Sequence, residues 1–209
     1  RRLTSFQVII LGFAGVILFG ALILMLPISS AQAIITPFHK ALFTSTSAVC
    51  VTGLVVLDTG SYWSVFGQTV IMFLIQIGGL GVITTATSVF ILSGRKISIM
   101  QRSTMQNAIS APKVGGIVRL MSFILKGTLL IELIGALFMI PVFCHDFGLR
   151  GIWMSIFHSV SAFCNAGFDL LGTKWHPFVS LTSYAVNPVI NIVIMLLIII
   201  GGIGFFTWE

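Results

Sequence analysis

Acidic side chains are nearly missing from this chain, which holds five Asp and Glu against eleven Lys and Arg in 209 residues. Charge of either sign makes up only 8% of the sequence, whereas a soluble domain carries about a quarter. Hydrophobic residues make up 57% and mean hydropathy is +1.11. A water-exposed globule of this size is excluded, and the solvent these residues fit is lipid. Catalytic constellations are missing too. No acids are paired, no nucleophile stands beside a base, and no phosphate-binding loop appears. The four histidines (His39, His145, His158, His176) fall at non-equivalent places, three of them in outer loops, so an enzyme or electron carrier is not the reading. Cysteine is scarce and odd in number, at three, which says nothing of disulfides. Cys144 adjoins His145 and Asp146, but three adjacent residues rarely converge on one ion, and an ordinary loop is the simpler reading. Nor does the N-terminus read as a cleaved signal. Arg1 and Arg2 are basic, yet the apolar run from Phe6 to Leu26 is too long and lacks a small-residue cleavage site.

The positive charge has a location. Eight of the eleven cations are Arg1, Arg2, Arg95, Lys96, Arg102, Lys113, Arg119 and Lys126. Lys40, Arg150 and Lys174 are scattered through segments that face the other way. This asymmetry places the N-terminus and the 94–126 segment in the cytoplasm. It marks a bilayer rather than nucleic acid as the partner of the net +6 charge. A second role for that basic face, toward anionic lipid or a cytosolic partner, stays open.

A spanning helix needs about 20 mostly apolar residues, and four segments qualify: about 6–27, about 68–92, about 115–142 (ended near Pro141), and about 184 to the C-terminus. Between the first two lies FHKALFTSTSAV, entered at Pro37, a favourable first-turn residue. It is too short to cross and gives way to CVTGL. Such a segment reads as re-entrant. The stretch 151–172 repeats the arrangement as IWMSIFHSVSAF, then CNAGF. Aligned without gaps, 41–54 and 155–168 share six identities in fourteen at an offset of 114. These are Phe43/Phe157, Ser45/Ser159, Ser47/Ser161, Ala48/Ala162, Cys50/Cys164 and Gly53/Gly167. IGGLG at 77–81 and IGGIG at 200–204 repeat as well, after a connection nine residues longer in the second unit. The internal repeat divides the chain into a first helix–pore–helix unit at 1–94, a linker at 95–114 and a second unit at 115–209. The fold class is an all-α integral membrane protein of tandem helix–pore-loop–helix repeats, as in potassium channels. The linker reads as a short amphipathic interfacial helix or a plain polar connector.

Irregular backbone at membrane depth is tolerated only where it is buried or lines a watery path. Two matching irregular loops, each behind a short helix, suit a dehydrated cation, which needs oxygens that carbonyls supply without fixed charge. Glycine opens backbone angles closed to other residues, and each half-helix turns its negative C-terminal end toward the loop. The candidate ion-binding carbonyls are those of Cys50, Val51, Thr52 and Gly53, and of Cys164, Asn165, Ala166 and Gly167. Thr52 opposes Ala166 in the alignment while the glycine persists, as main-chain coordination requires.

The motifs SAVCVTGL (47–54), QIGGLG (76–81), SAFCNAGFDLLG (161–172) and IIGGIGFFTWE (199–209) resemble the Trk/Ktr/HKT superfamily of cation transporters. The likeness is closest to the Ktr-type potassium-translocating membrane subunit and covers essentially the whole chain. The resemblance implies four helix–pore–helix repeats around one pore, and potassium uptake across the plasma membrane. It further implies a homodimer of the full-length subunit, gated by a cytosolic nucleotide-binding ring, with no covalent cofactor. Glycine at the key filter position goes with K+, serine with sodium-permeable members; Gly53 and Gly167 match the potassium form. Na+ or mixed-cation permeation, or a non-conducting assembly subunit, are the alternatives. Only two repeats are present. The expectation is therefore the N-terminal half of a longer protein, or else two copies around one pore. The family's gating loop in the third repeat and its arginine in the fourth are not assigned here.

Glu132, in the middle of the third span, is either a buried hydrogen-bonding group or part of an ion path. Asp58 and Asp169 are either cation-enriching acids at the outer mouth or ordinary loop acids. His158, aligned with Thr44, reads as a packing or hydrogen-bonding residue. The glycine clusters Gly78, Gly79, Gly81 and Gly201, Gly202, Gly204 read as sites of close helix packing or bending.

Overall fold

The computed structural model describes residues 5–81 and 117–203. It is all-helical; among the described residues the sole β-type pairing is an isolated bridge between Ser30 and Trp63. The chain enters on α1 (Ser5–Met25), which gives way to a 3-10 turn at Pro27–Ser29. Next comes the half-helix α2 (Phe38–Val49), with Pro37 as its N-cap. A single turn, α3 (Thr59–Tyr62), precedes α4 (Val65–Leu80). The next described helices are the long α5 (Ile117–Phe147) and the half-helix α6 (Arg150–Phe163). A 3-10 turn (Ser180–Tyr184) leads to α7 (Pro188–Gly202).

Local chemistry sets the boundaries. Ser64 caps α4 by accepting from the Gly67 N–H at 3.1 Å, and Asn187 caps α7 by accepting from the Ile190 N–H at 3.1 Å. Pro188 sits where a helix has no use for its missing N–H. The third span differs from expectation: α5 runs through Pro141 to Phe147 instead of ending near it. Met139 and Phe143, either side of the proline, are completely buried, so packing holds a helix that propensity alone would break. The fourth span begins at Pro188, because 180–184 is taken by the 3-10 turn.

At about 1.5 Å per residue, the 21 residues of α1 reach about 31 Å, the thickness of a hydrocarbon core. Gln7–Met25 and Arg119–Phe147 are long and apolar enough to span; Val65–Leu80 and Pro188–Gly202 are apolar but shorter. The remainder of the second and fourth expected spans, and the 95–114 linker, lie outside the described residues. Outward faces are apolar, with Ile10, Leu18, Phe19 and Leu22 on α1 and Leu130, Leu137 and Phe138 on α5 exposed. Such surface suits acyl chains and not water. Inward, α2 is clasped by α1 and α4, and α6 by α5 and α7. Leu24, Ala41, Ile71 and Ile75 in the first group and Met139, Phe143, Phe157 and Leu197 in the second share one continuous buried cluster. Contact between α4 and α6 joins the groups.

Candidate functional site

The two half-helices end identically. Cys50 N–H donates to Thr46 O at 2.8 Å, and Cys164 N–H to Val160 O at 3.0 Å. One residue on, Val51 N–H reaches Ala48 O (3.2 Å) and Asn165 N–H reaches Ala162 O (3.0 Å). Thr52 N–H then reaches back to Ser47 O (2.9 Å), and Ala166 N–H to Ser161 O (2.8 Å). This pair of bonds is the Schellman motif, which needs its fifth residue in the left-handed region. Val51 and Asn165 occupy it, at φ 47° and 57°. Two residues further, Gly53 and Gly167 turn the chain again at φ 77° and 74°.

The two glycines meet. A Cβ on Gly53 would lie 2.7 Å from the Ala166 carbonyl oxygen and 3.4 Å from the Gly167 Cα. The contact is lopsided, since a Cβ on Gly167 would meet only the Gly53 Cα, at 3.5 Å. All eight candidate residues thus fall in two adjoining loops of one backbone shape. Cys50, Thr52, Asn165 and Gly167 lie on the exposed edge, while Cys164 and Ala166 are buried.

Small residues make the support symmetrical. Ser45 Oγ of α2 donates to the Ile17 carbonyl of α1 at 2.7 Å, and Ser159 Oγ of α6 donates to the Glu132 carbonyl of α5 at 2.6 Å. Three members of the glycine clusters make close packing contacts, and Gly204 lies outside the described residues. Gly78 abuts the Val49 carbonyl, Gly201 the Phe163 carbonyl, and Gly79 the Cys164 side chain. A helix can lie so close to a carbonyl only where no Cβ intervenes.

Other singled-out residues take their places. Asp58 is buried and caps α3. Its Oδ2 accepts from Ser61 N–H (2.8 Å) and Ser61 Oγ (2.6 Å), and its Oδ1 from Phe178 N–H (2.8 Å). That is a structural tie between the loop that follows Gly53 and the loop that follows Gly167. Asp169 accepts from the Leu171 N–H at 2.9 Å. Burial pushes its carboxyl above the ordinary range, and the Asp58 carboxylate adds to the effect. Glu132 lies beside Gln76 of α4, and both line an otherwise apolar cavity of about 280 Å³ among α4, α5 and α6. None of the eight loop residues lines that cavity, but Glu132 Oε1 is buried there without a partner and the Cys164 thiol lies 3.9 Å from Gln76 Oε1. His145 pairs with its neighbour Asp146 at 2.8 Å. Among the described residues no group of three metal-ligating side chains gathers.

Sequence reasoning missed the ties between the units. Arg150 donates to the Gly60 carbonyl at 3.3 Å, and Trp153 Nε1 to Gln68 Oε1 at 2.8 Å. Nothing in the local sequence around Arg150 or Trp153 marks partners 90 and 85 residues away.

An all-helical membrane protein with paired, abutting glycine loops is the class that fold and site define. The sequence model of the TrkH family, described as a cation transport protein, matches residues 4–208, and the chain belongs to that family. It is 45% identical over 210 residues to the potassium/sodium uptake protein NtpJ of Enterococcus hirae, covering 100% of this chain and 45% of that protein. It is 44% identical over 205 residues to the Ktr system potassium uptake protein B of Bacillus subtilis, covering 98% of this chain and 44% of the relative. The Vibrio alginolyticus protein of the same name is 35% identical over 200 residues, with 95% and 42% covered. The chain therefore spans less than half the length of these relatives.

Proposed function

We propose that this chain supplies two quarters of a potassium-selective filter in the membrane subunit of a potassium uptake system. One observation carries the reading: the loops at 50–53 and 164–167 share one backbone conformation and converge at Gly53 and Gly167. Each is approached by a half-helix whose C-terminal, electronegative end faces it. In such a site the main-chain oxygens of Cys50, Val51, Thr52 and Gly53, and of Cys164, Asn165, Ala166 and Gly167, replace the hydration shell of K+. The mechanism is passive conduction down the electrochemical gradient, with no catalytic step and no covalent cofactor. The units at 1–94 and 115–209 are the repeats, joined by the linker at 95–114. The chain crosses the plasma membrane several times with its N-terminus in the cytoplasm, a reading supported by the basic residues at 1–2 and 95–126. A second membrane subunit and a cytosolic nucleotide-binding ring complete the assembly. The family resemblance supports both partners, and the word "system" in relatives' names fits them. A sodium-permeable variant of the same function is favoured by one relative's potassium/sodium name.

The test is potassium uptake by the full-length protein in an uptake-deficient host, with Gly53→Ser and Gly167→Ser beside wild type. Both variants should lose uptake and discrimination against Na+. Gly53→Ser should lose more, because its new Cβ strikes the Ala166 carbonyl while that of Gly167→Ser finds ordinary contact distance. Unchanged uptake and unchanged ion preference in both would refute the filter assignment.

A further inference from the structure

The two loops leave their half-helices by the same turn and then part company. After Gly167 the chain is pinned to α6 twice. Ser161 Oγ donates to the Phe168 carbonyl at 2.6 Å, and the Leu170 N–H donates to His158 Nε2 at 3.3 Å. After Gly53 neither tie has a counterpart. Ser47, aligned with Ser161, has a buried hydroxyl without a partner. Thr44, aligned with His158, turns its hydroxyl back onto the Lys40 carbonyl of its own helix at 3.0 Å. Exposure follows the ties: Phe168 and Leu170 are each 2% exposed, against 60% and 42% for Leu54 and Val56.

The imidazole has no freedom in this arrangement. Nδ1 stands 2.7 Å from the Met154 carbonyl, so it must carry the proton. Nε2 receives the Leu170 N–H, so it must be bare. Only one neutral tautomer satisfies both partners. The ring lies against Phe143 with centroids 5.2 Å apart, and Phe143 meets Tyr184 edge-on at the same separation. Beside the pinned limb is a cavity of about 200 Å³, bordered by His158, Ser161, Asn165, Gly167 and Asp169. An unpinned limb has room to move into it.

We propose that His158 is a positioning residue for ion selection: with Ser161 it fixes the limb leaving Gly167, making the second loop the stiff member of the pair and the first the compliant one. Coordinating Na+ in place of K+ requires carbonyls to close in on a smaller ion. A loop held three residues beyond its glycine resists that closure. The inference rests on the filter reading above.

The experiment measures Rb+ uptake with Na+ competition, on full-length protein in liposomes, for His158→Gln, His158→Asn and His158→Phe. Glutamine places an acceptor near the Nε2 position and should keep wild-type discrimination. Asparagine reaches only the Met154 side, and phenylalanine has no acceptor. Both should lower discrimination about fivefold to tenfold, the worth of one lost hydrogen bond. Wild-type discrimination in the Asn and Phe variants would overturn the proposal, and so would equal loss in Gln and Asn, which would mean shape alone matters. If the Asn and Phe variants fail to accumulate, Ser161→Ala decides. Lowered discrimination supports the pinned limb and unchanged discrimination overturns it. Gly167→Ser is measured alongside. If it too changes nothing, the filter reading has failed; if it alone shifts selectivity, only the role of His158 has.

Discussion

Val51 is a β-branched residue at φ 47°, in a conformation that costs an L residue roughly 1–2 kcal/mol. Asn165, its counterpart, is among the few side chains that tolerate that region, and its Nδ2 also reaches the Ile198 carbonyl at 3.3 Å. The loops therefore share a shape but not its cost, and strain at a site of this kind commonly belongs to the function. Exchanging the residues separates the two effects. Val51→Asn should raise the melting midpoint of the detergent-solubilised full-length protein, with a gain of about 1 kcal/mol. Asn165→Val should lower it by about 1–2 kcal/mol, because it adds the strain and removes the amide. Equal and small shifts for both would mean that the left-handed turn stores no strain.

At the scale of elements, each half-helix hangs from its neighbour by one serine. Ser45→Ala and Ser159→Ala should each cost about 0.6 kcal/mol, typical of hydrogen bonds between helices in a membrane. The double variant should cost the sum, since Ser45–Ile17 and Ser159–Glu132 share no atoms. Denaturation in mixed micelles reads the values, and strong non-additivity would contradict independent anchoring. This level of structure was legible in advance because it is written in local patterns. FHKALFTSTSAV is helical over Phe38–Val49, and the segment around IWMSIFHSVSAF is helical over Arg150–Phe163. The gapless identities also marked the residues that now occupy matching bonds. Other features were not legible for physical reasons. A proline normally ends a helix, and burial at Met139 and Phe143 overrides that rule at Pro141. Asp58 carries nothing in its neighbourhood to announce a partner 120 residues away. The tie from His158 to Leu170 was hidden because histidine at a helical position is compatible with many partners.

At the scale of the whole molecule, the described residues form two similar helix groups joined by hydrogen bonds between their loops. Asp58–Phe178, Arg150–Gly60 and Trp153–Gln68 are polar stitches, and Gly53 against Ala166 is the seam between the loops. Asp58→Ala should loosen the longer connection of the second unit, with a cost of about 2–3 kcal/mol for bonds to a charged acceptor. Trypsin cleavage after the exposed Lys174 should then be faster than in wild type, at matched enzyme and temperature. An unchanged digestion rate would mean that the 173–187 segment holds itself in place.

The Asp58 stitch also imposes a schedule. During synthesis the carboxylate is made 120 residues before the amide that completes its shell. At about 5–20 residues per second the interval is roughly 6–24 s. Through that interval the first unit holds an acid ready for burial with one of its acceptors unfilled, which works against early closure of its outer loop. The Asp58 site is thus completed only once residue 178 has been made.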